Sequence, residues 1–81
     1  MESMAYTNII ASVINQKRTK FGWTKTELSK RTGISVQYLC DIETARRRPS
    51  IDILVVLAKT LEFSLDDIFL NKEITQLSNF S

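Results

Sequence analysis

Basic side chains are the most numerous chemically active groups in this chain, and most of them fall in one segment. Residues 15–49 contain nine lysines and arginines against three carboxylates, whereas residues 50–81 contain two lysines against five carboxylates. Clustered cations attract polyanions such as nucleic acids, and an acidic half favours a different kind of partner. The distribution predicts a phosphate-binding surface in the first half. A solvated surface with uneven charge is the alternative.

Side chains that perform catalysis are scarce. The 81 residues include no histidine, which is the commonest general base and a common zinc ligand. Cys40 is the only cysteine, so no intrachain disulfide can form and no histidine is available to activate its thiol. Gly22 and Gly33 are the only glycines and lie far apart, which excludes a glycine-rich phosphate loop. We therefore predict that the protein is not an enzyme and has no catalytic residue, metal or cofactor.

Length and composition indicate one small helical domain. Hydrophobic residues make up 43% and charged residues 25%, as in globular proteins, and two glycines with one proline are too few for many short strands. No apolar run is long enough to span a bilayer, and the first residues lack the features of a signal peptide. We expect one cytoplasmic domain over residues 1–81 without membrane association. Its core covers about residues 6–70, and residues 71–81 form a C-terminal extension.

Hydroxyl residues mark the expected starts of four helices. A first helix, from about residue 6 to 21, ends at Gly22. Glu27 follows Thr24 at the spacing of a capping box, in which the glutamate reaches back to the cap. A turn containing Gly33 then joins two short helices, over residues 24–31 and 35–44, into a helix-turn-helix unit. The expected caps are Thr24, Ser35, Ser50 and Ser64.

A set of short motifs follows the chain in a fixed order. The motifs are Trp23-Thr24-Lys25-Thr26-Glu27-Leu28-Ser29, Thr32-Gly33-Ile34-Ser35, Tyr38-Leu39, Ile42-Glu43 and Arg47-Arg48-Pro49-Ser50, followed by Ala58, Leu61, Ser64, Asp66, Asp67, Ile68 and Phe69. Together they resemble the Xre/Cro-type helix-turn-helix regulators, which carry a lambda-repressor-like DNA-binding domain. The chain is similar to stand-alone phage repressors and to the controller proteins of restriction–modification systems. The resemblance covers about residues 6–70 and implies an all-α fold of five helices.

One departure from the family pattern affects the end of the second helix of the helix-turn-helix unit, which the family uses as its recognition helix. After the glutamate at position 43 the family usually has a residue followed by glycine, whereas this chain has Thr44 and Ala45. Alanine is strained at positive φ, where glycine is not. We therefore expect either that the helix continues for another turn or that residues 44–49 take a different path.

The resemblance implies a role for each side chain on and around the recognition helix. That helix enters the major groove with its amino-terminal residues on base edges, where Gln37 can pair with adenine and Val36 can contact a thymine methyl group. Asp41 can accept from cytosine, hold a neighbouring arginine, or remain a solvated carboxylate. The predicted base contacts are Val36, Gln37 and Asp41. The predicted contacts to the DNA backbone are Thr24, Lys25, Ser35, Tyr38, Arg46, Arg47 and Arg48.

Other family positions have structural roles. Arg18 and Glu43 match a pair of residues that forms an ion pair, so Arg18 is not expected to bind DNA. Trp23 is expected to pack at a junction of helices. The predicted dimer interface consists of Phe63, Leu65, Ile68 and Phe69. Alternatively, Ile68, Phe69 and Leu70 could close the core of the monomer.

The expected function is sequence-specific binding of double-stranded DNA. The resemblance implies a transcriptional regulator that acts as a homodimeric, autoregulatory repressor on a partly palindromic operator. The alternative is an antitoxin or another protein-interaction module, whose C-terminal third binds a toxin or another regulator.

Overall fold

The computed structural model describes residues 2–69, with side chains from residue 6 to residue 68. The helices are α1 (Glu2–Lys20), α2 (Lys25–Thr32), α3 (Val36–Glu43), α4 (Ile51–Thr60) and α5 (Asp66–Phe69). No strand occurs within residues 2–69, so the predicted five-helix all-α fold is confirmed. Helix α1 begins four residues earlier than expected. The predicted C-terminal extension lies outside the described residues.

Each of the three middle helices begins at the expected hydroxyl residue. The hydroxyl oxygen accepts a hydrogen bond from the backbone N–H three residues later, which satisfies one of the donors left free at a helix start. The three pairs are Thr24 with Glu27 (3.1 Å), Ser35 with Tyr38 (3.1 Å) and Ser50 with Ile53 (3.3 Å). These local bonds define where α2, α3 and α4 start.

The capping box expected at α2 is incomplete, whereas a complete one, which the sequence did not predict, is present at α5. At α2 the Glu27 carboxylate accepts from Arg31 Nε at 2.8 Å rather than reaching back to the cap, as the spacing had predicted. At α5 the reciprocal arrangement is present. The hydroxyl of Ser64 accepts from the N–H of Asp66, and the carboxylate of Asp67 accepts from the N–H of Ser64, both at 3.0 Å.

One apolar core joins all five helices. Helix α1 packs against α3 and α5, and α2 packs against α3 and α4. Helix α3 is therefore held from two sides, and its remaining face is left for other contacts. The largest fully buried side chains are Ile14, Leu28, Leu39, Ile42, Leu57, Leu61 and Ile68.

A buried ion pair ties the end of α3 to α1. Arg18 is only 9% exposed, and its Nε and Nη2 donate to the two carboxylate oxygens of Glu43 at 2.8 and 3.0 Å. Its Nη1 donates to the carbonyl oxygen of Trp23 at 2.6 Å. Asn15, one turn earlier on α1, donates to Glu43 at 2.8 Å. The pair therefore has hydrogen bonds on both partners, which a buried charge requires.

These contacts shift the pKa of both charged groups. Burial acts to raise the pKa of Glu43, but hydrogen bonds from Arg18 and Asn15, with the charges of Arg18 and Lys25, outweigh it and lower the pKa from its ordinary 4.5. The hydrogen bond to Glu43 raises the pKa of Arg18. A carboxyl group with a lowered folded-state pKa stabilises the fold above its unfolded pKa. That contribution is lost as the pH falls through the folded pKa.

The turn after α3 uses a left-handed residue that is not glycine. Helix α3 ends at Glu43, and Ala45 adopts φ +61°. The N–H of Ala45 donates to the carbonyl of Ile42 at 3.1 Å, and that of Arg46 donates to the carbonyl of Asp41 at 2.9 Å. These two bonds form a Schellman motif, in which glycine normally occupies the place of Ala45. The expected extension of the helix is therefore wrong, because Ala45 itself supplies the positive φ.

The same motif ends two other helices. Gly22 (φ +74°) follows α1, with the N–H of Trp23 donating to the carbonyl of Arg18 at 3.2 Å. Glu62 (φ +57°) follows α4, with the N–H of Phe63 donating to the carbonyl of Ala58 at 3.0 Å. Two of the three turns thus place a side chain where glycine is preferred, which strains the backbone.

Replacing Arg18 by methionine tests the buried pair. At pH 7 we expect Arg18→Met to reduce the free energy of unfolding by about 3–5 kcal/mol, because the Glu43 carboxylate stays buried without its cation. Burial then raises the pKa of Glu43, so the variant recovers stability as this group is protonated, whereas the wild type loses stability below pH 4.5. The difference in free energy of unfolding between the wild type and Arg18→Met, measured by urea denaturation, should therefore narrow in acid. Lys20→Met, at an exposed position, is the control. A difference that widens in acid contradicts a stabilising ion pair between Arg18 and Glu43.

Glycine at position 45 should stabilise the fold. Ala45→Gly removes the cost of placing a Cβ at positive φ, and we expect a gain of about 0.5–1 kcal/mol after the greater flexibility of unfolded glycine is subtracted. Glu62→Gly should act in the same direction. Thr44→Gly is the matched control, because Thr44 has φ −96° and gains nothing from glycine. The urea midpoints of the three variants measure these effects. A lower midpoint for Ala45→Gly than for the wild type contradicts backbone strain at Ala45.

Candidate nucleic-acid interface

Helix α3 presents a short polar face at its amino-terminal end. Leu39 and Ile42 are completely buried, whereas Val36 is 42% exposed and Gln37 is also exposed. Because residues four positions apart lie on the same side of a helix, Gln37 and Asp41 share a face, while Val36 is exposed beside them in the first turn. All three predicted base-contact residues therefore reach the surface of α3, with Gln37 and Asp41 on one side of it.

Two of these side chains are hydrogen-bonded to each other. Gln37 Nε2 donates to Asp41 Oδ1 at 3.1 Å. The backbone carbonyl of Asp41 also accepts from the N–H groups of Arg46 and Arg47, at 2.9 and 3.2 Å. The Asp41 carboxylate thus contacts Gln37 and not a neighbouring arginine side chain. The Asp41 carbonyl anchors the start of residues 44–49, which we call the basic loop.

The three arginines after α3 are exposed but differ in their surroundings. The Arg47 guanidinium lies over the ring of Tyr38, 4.8 Å from its centroid, so cation–π attraction holds it against α3. Arg48 instead lines a cleft of about 460 Å³ with Tyr6, Ile51 and other residues of α1 and α4. The loop consequently distributes positive charge from the side of α3 toward α1.

The remaining predicted backbone contacts lie at helix starts. Thr24 and Ser35 are exposed, and each uses its hydroxyl oxygen as a cap acceptor, which leaves the O–H free to donate. Lys25 is half-buried in the first turn of α2, and its charge lowers the pKa of Glu43 at the end of α3. The charge of Lys25 therefore acts electrostatically on Glu43, the last residue of α3.

An aromatic stack that the sequence analysis did not predict lies between α1 and α2. The rings of Phe21 and Trp23 are stacked with centroids 4.5 Å apart, and the Arg31 guanidinium lies 4.1 Å from the centroid of the Trp23 ring. Trp23 is half-buried against the core, in agreement with the expected packing role. Arg31 also pairs with Glu27, so its charge is partly neutralised. The spacing of Glu27 and Arg31 by four residues was the available signal.

Two of the four residues expected at a dimer interface are internal to the protomer. Phe63 and Ile68 are 7% and 0% exposed and belong to its core, so their side chains present almost no surface to a partner. Leu65 is half-buried, and the side chain of Phe69 lies outside the described residues. The prediction for Phe63 and Ile68 is corrected because α5 needs both of these side chains to pack on the protomer.

Other kinds of site find little support among the described residues. Cys40 is a half-buried free cysteine. Within the described part of the chain, no group of three or more cysteine, aspartate and glutamate side chains is placed to hold a metal ion. None of the described helices has the length and apolar character that a membrane crossing requires.

Comparison with known proteins identifies the same unit. The helix-turn-helix family model matches residues 14–68, which include the C-terminal part of α1 from residue 14 onward and all of α2, α3 and α4. No solved structure gives a significant match to the chain.

Three curated relatives illustrate the similarity. An uncharacterized HTH-type transcriptional regulator of Mycobacterium tuberculosis is 32% identical over 70 residues, which are 86% of this chain but only 50% of that protein. One from Archaeoglobus fulgidus is 30% identical over 74% of this chain and 84% of its own length. The regulator y4dJ of Sinorhizobium fredii is 34% identical over 75% of this chain and 79% of its own.

The family match, the relatives and the described fold agree on one assignment. The chain spans half the length of the Mycobacterium relative and most of the other two. The capped helices α2 and α3, joined at Gly33, are the motif after which the family is named. The chain therefore belongs to the helix-turn-helix family of DNA-binding transcriptional regulators, in its Xre/Cro-type form.

Proposed function

We propose that the chain is a sequence-specific regulator that represses transcription by binding a partly palindromic operator as a homodimer, with its own promoter among its targets. The observation that carries this proposal is the surface of α3 outside the core, where the paired Gln37 and Asp41 and the exposed Val36 lie on a helix held by two others. A rigidly held helix with a polar tip can enter the major groove and read base edges.

The groups around this face suit the DNA backbone. Arg46, Arg47 and Arg48 follow the end of α3, while Thr24, Lys25 and Ser35 lie at the starts of α2 and α3. Backbone N–H groups at helix starts, hydroxyls and cations are the usual donors to phosphate oxygens. Tyr38 contributes by holding Arg47 in place. These contacts fix the register of α3 on the duplex without selecting a sequence.

Dimerisation follows from the small size of the reading surface. One α3 reaches only a few base pairs, so useful specificity needs two copies on half-sites about 34 Å apart. Leu65, the residue before α5, is only half-buried and therefore exposes more of its side chain to a second copy than Phe63 and Ile68 do. We propose that the region around Leu65 contributes to the contact between protomers.

A gel shift with the DNA upstream of the chain's own gene tests the proposed function. We expect a discrete complex that resists an excess of unrelated DNA, with a concentration dependence steeper than first order because two copies bind. Footprinting then measures the spacing of the half-sites. A smear that unrelated DNA removes contradicts autoregulation, and capture of a toxin-like protein partner in its place supports the antitoxin alternative.

Two substitutions separate base reading from phosphate binding. Gln37→Ala should cost about 1–3 kcal/mol on the cognate site and little on unrelated DNA, because it removes a base contact. Lys25→Ala should weaken binding to both kinds of DNA and reduce the log–log salt slope by about 0.9, because it removes a phosphate contact. Titrations at several salt concentrations measure both effects. Equal behaviour of the two variants contradicts the division of roles.

A further inference from the structure

The hydrogen bond between Gln37 and Asp41 restricts the side chain best placed to read a base. Gln37 Nε2 lies 3.1 Å from Asp41 Oδ1, one helical turn along the exposed face of α3. We propose that Asp41 is a positioning residue that holds the Gln37 amide in the orientation that selects adenine over guanine. The proposal rests on the DNA-binding function proposed above and replaces the expected contact of Asp41 with a base.

The chemistry of the two groups fixes which end of the amide faces Asp41. An ionised carboxylate only accepts hydrogen bonds, whereas an amide has a nitrogen that donates twice and an oxygen that accepts. Asp41 can therefore bind the nitrogen end of Gln37 but not its oxygen end. One N–H is occupied, and the second N–H and the carbonyl oxygen remain for the DNA.

The free N–H and the carbonyl oxygen of Gln37 together match the major-groove edge of adenine. In the major groove adenine presents one acceptor, N7, and one donor, the N6 amino group, whereas guanine presents two acceptors, N7 and O6. A Gln37 amide with one free N–H and one free oxygen complements adenine. Guanine needs two donors, which the amide can supply only if it turns and releases Asp41. Holding the amide consequently disfavours guanine.

Asp41 is itself well anchored for this role. It is half-buried in the last turns of α3, and its carbonyl accepts from the N–H groups of Arg46 and Arg47. Its carboxylate accepts from Gln37 Nε2, so this charged group keeps a hydrogen-bond donor where the groove excludes water. The bond is weak in water and strengthens when the groove excludes water from α3.

Selection of binding sites from a pool of random DNA duplexes tests the proposal. The full chain is compared with Gln37→Ala, Asp41→Asn, Asp41→Glu and the double variant Gln37→Ala/Asp41→Asn. We expect the wild type to enrich adenine over guanine at one base pair in each half-site. Gln37→Ala and Asp41→Asn should both reduce that preference at the same base pair by about fivefold or more. Asparagine donates as well as accepts, so it no longer fixes the amide, whereas Asp41→Glu keeps an acceptor-only group and should retain the preference.

The double variant distinguishes action through Gln37 from direct reading. If Asp41 acts through Gln37, adding Asp41→Asn to Gln37→Ala changes no base preference further, although loss of a negative charge tightens binding to all DNA. A preference that changes at a different base pair in Asp41→Asn overturns the proposal and makes Asp41 a base contact. Circular dichroism shows that each variant is folded. A folded wild type that enriches no sequence overturns the proposed function, and this inference with it.

Discussion

The bidentate ion pair between Arg18 and Glu43 fixes the position of the recognition helix. It joins the last turn of α1 to the last residue of α3, and the same guanidinium binds the carbonyl of Trp23 at the entry to α2. One side chain thus contacts groups at the ends of α1 and α3 and at the entry to α2. A guanidinium that donates in parallel to both oxygens of a carboxylate is directional, so the pair favours one register of α3 against α1.

The short helices depend on their ends as much as on the core. Helices of eight residues are too short to be stable alone, because few of their backbone groups are bonded within the helix. Hydroxyl caps satisfy the amino-terminal donors of α2 and α3, and the Schellman motif at Ala45 satisfies carbonyls at the end of α3. Ala45 adopts the positive φ that this motif requires, at a cost in stability that glycine would not have.

Features that depend on residues close in sequence, such as helix caps, were predicted correctly. Features that depend on tertiary packing, such as the burial of an apolar side chain, were predicted less well. Thr24, Ser35 and Ser50 cap their helices as expected, because a cap needs only a residue three positions away. For the segment after Glu43 the sequence left two alternatives open, and the longer helix is excluded because Ala45 itself adopts a positive φ. Ile68 was placed at an interface although it is buried, since an apolar pattern alone cannot distinguish a core from a dimer surface.

Charge counted along the sequence overstates the charge available to DNA. Of the nine cations in residues 15–49, Arg18 is neutralised by Glu43, and Arg31 is shared between Glu27 and the ring of Trp23. On α3 itself, between Ser35 and Thr44, there is no lysine or arginine at all. The cations proposed to bind phosphates are therefore separate from the neutral and acidic groups proposed to face the bases. Attraction to phosphates carries no sequence information, so selectivity in the proposed complex depends on hydrogen-bond geometry at Gln37.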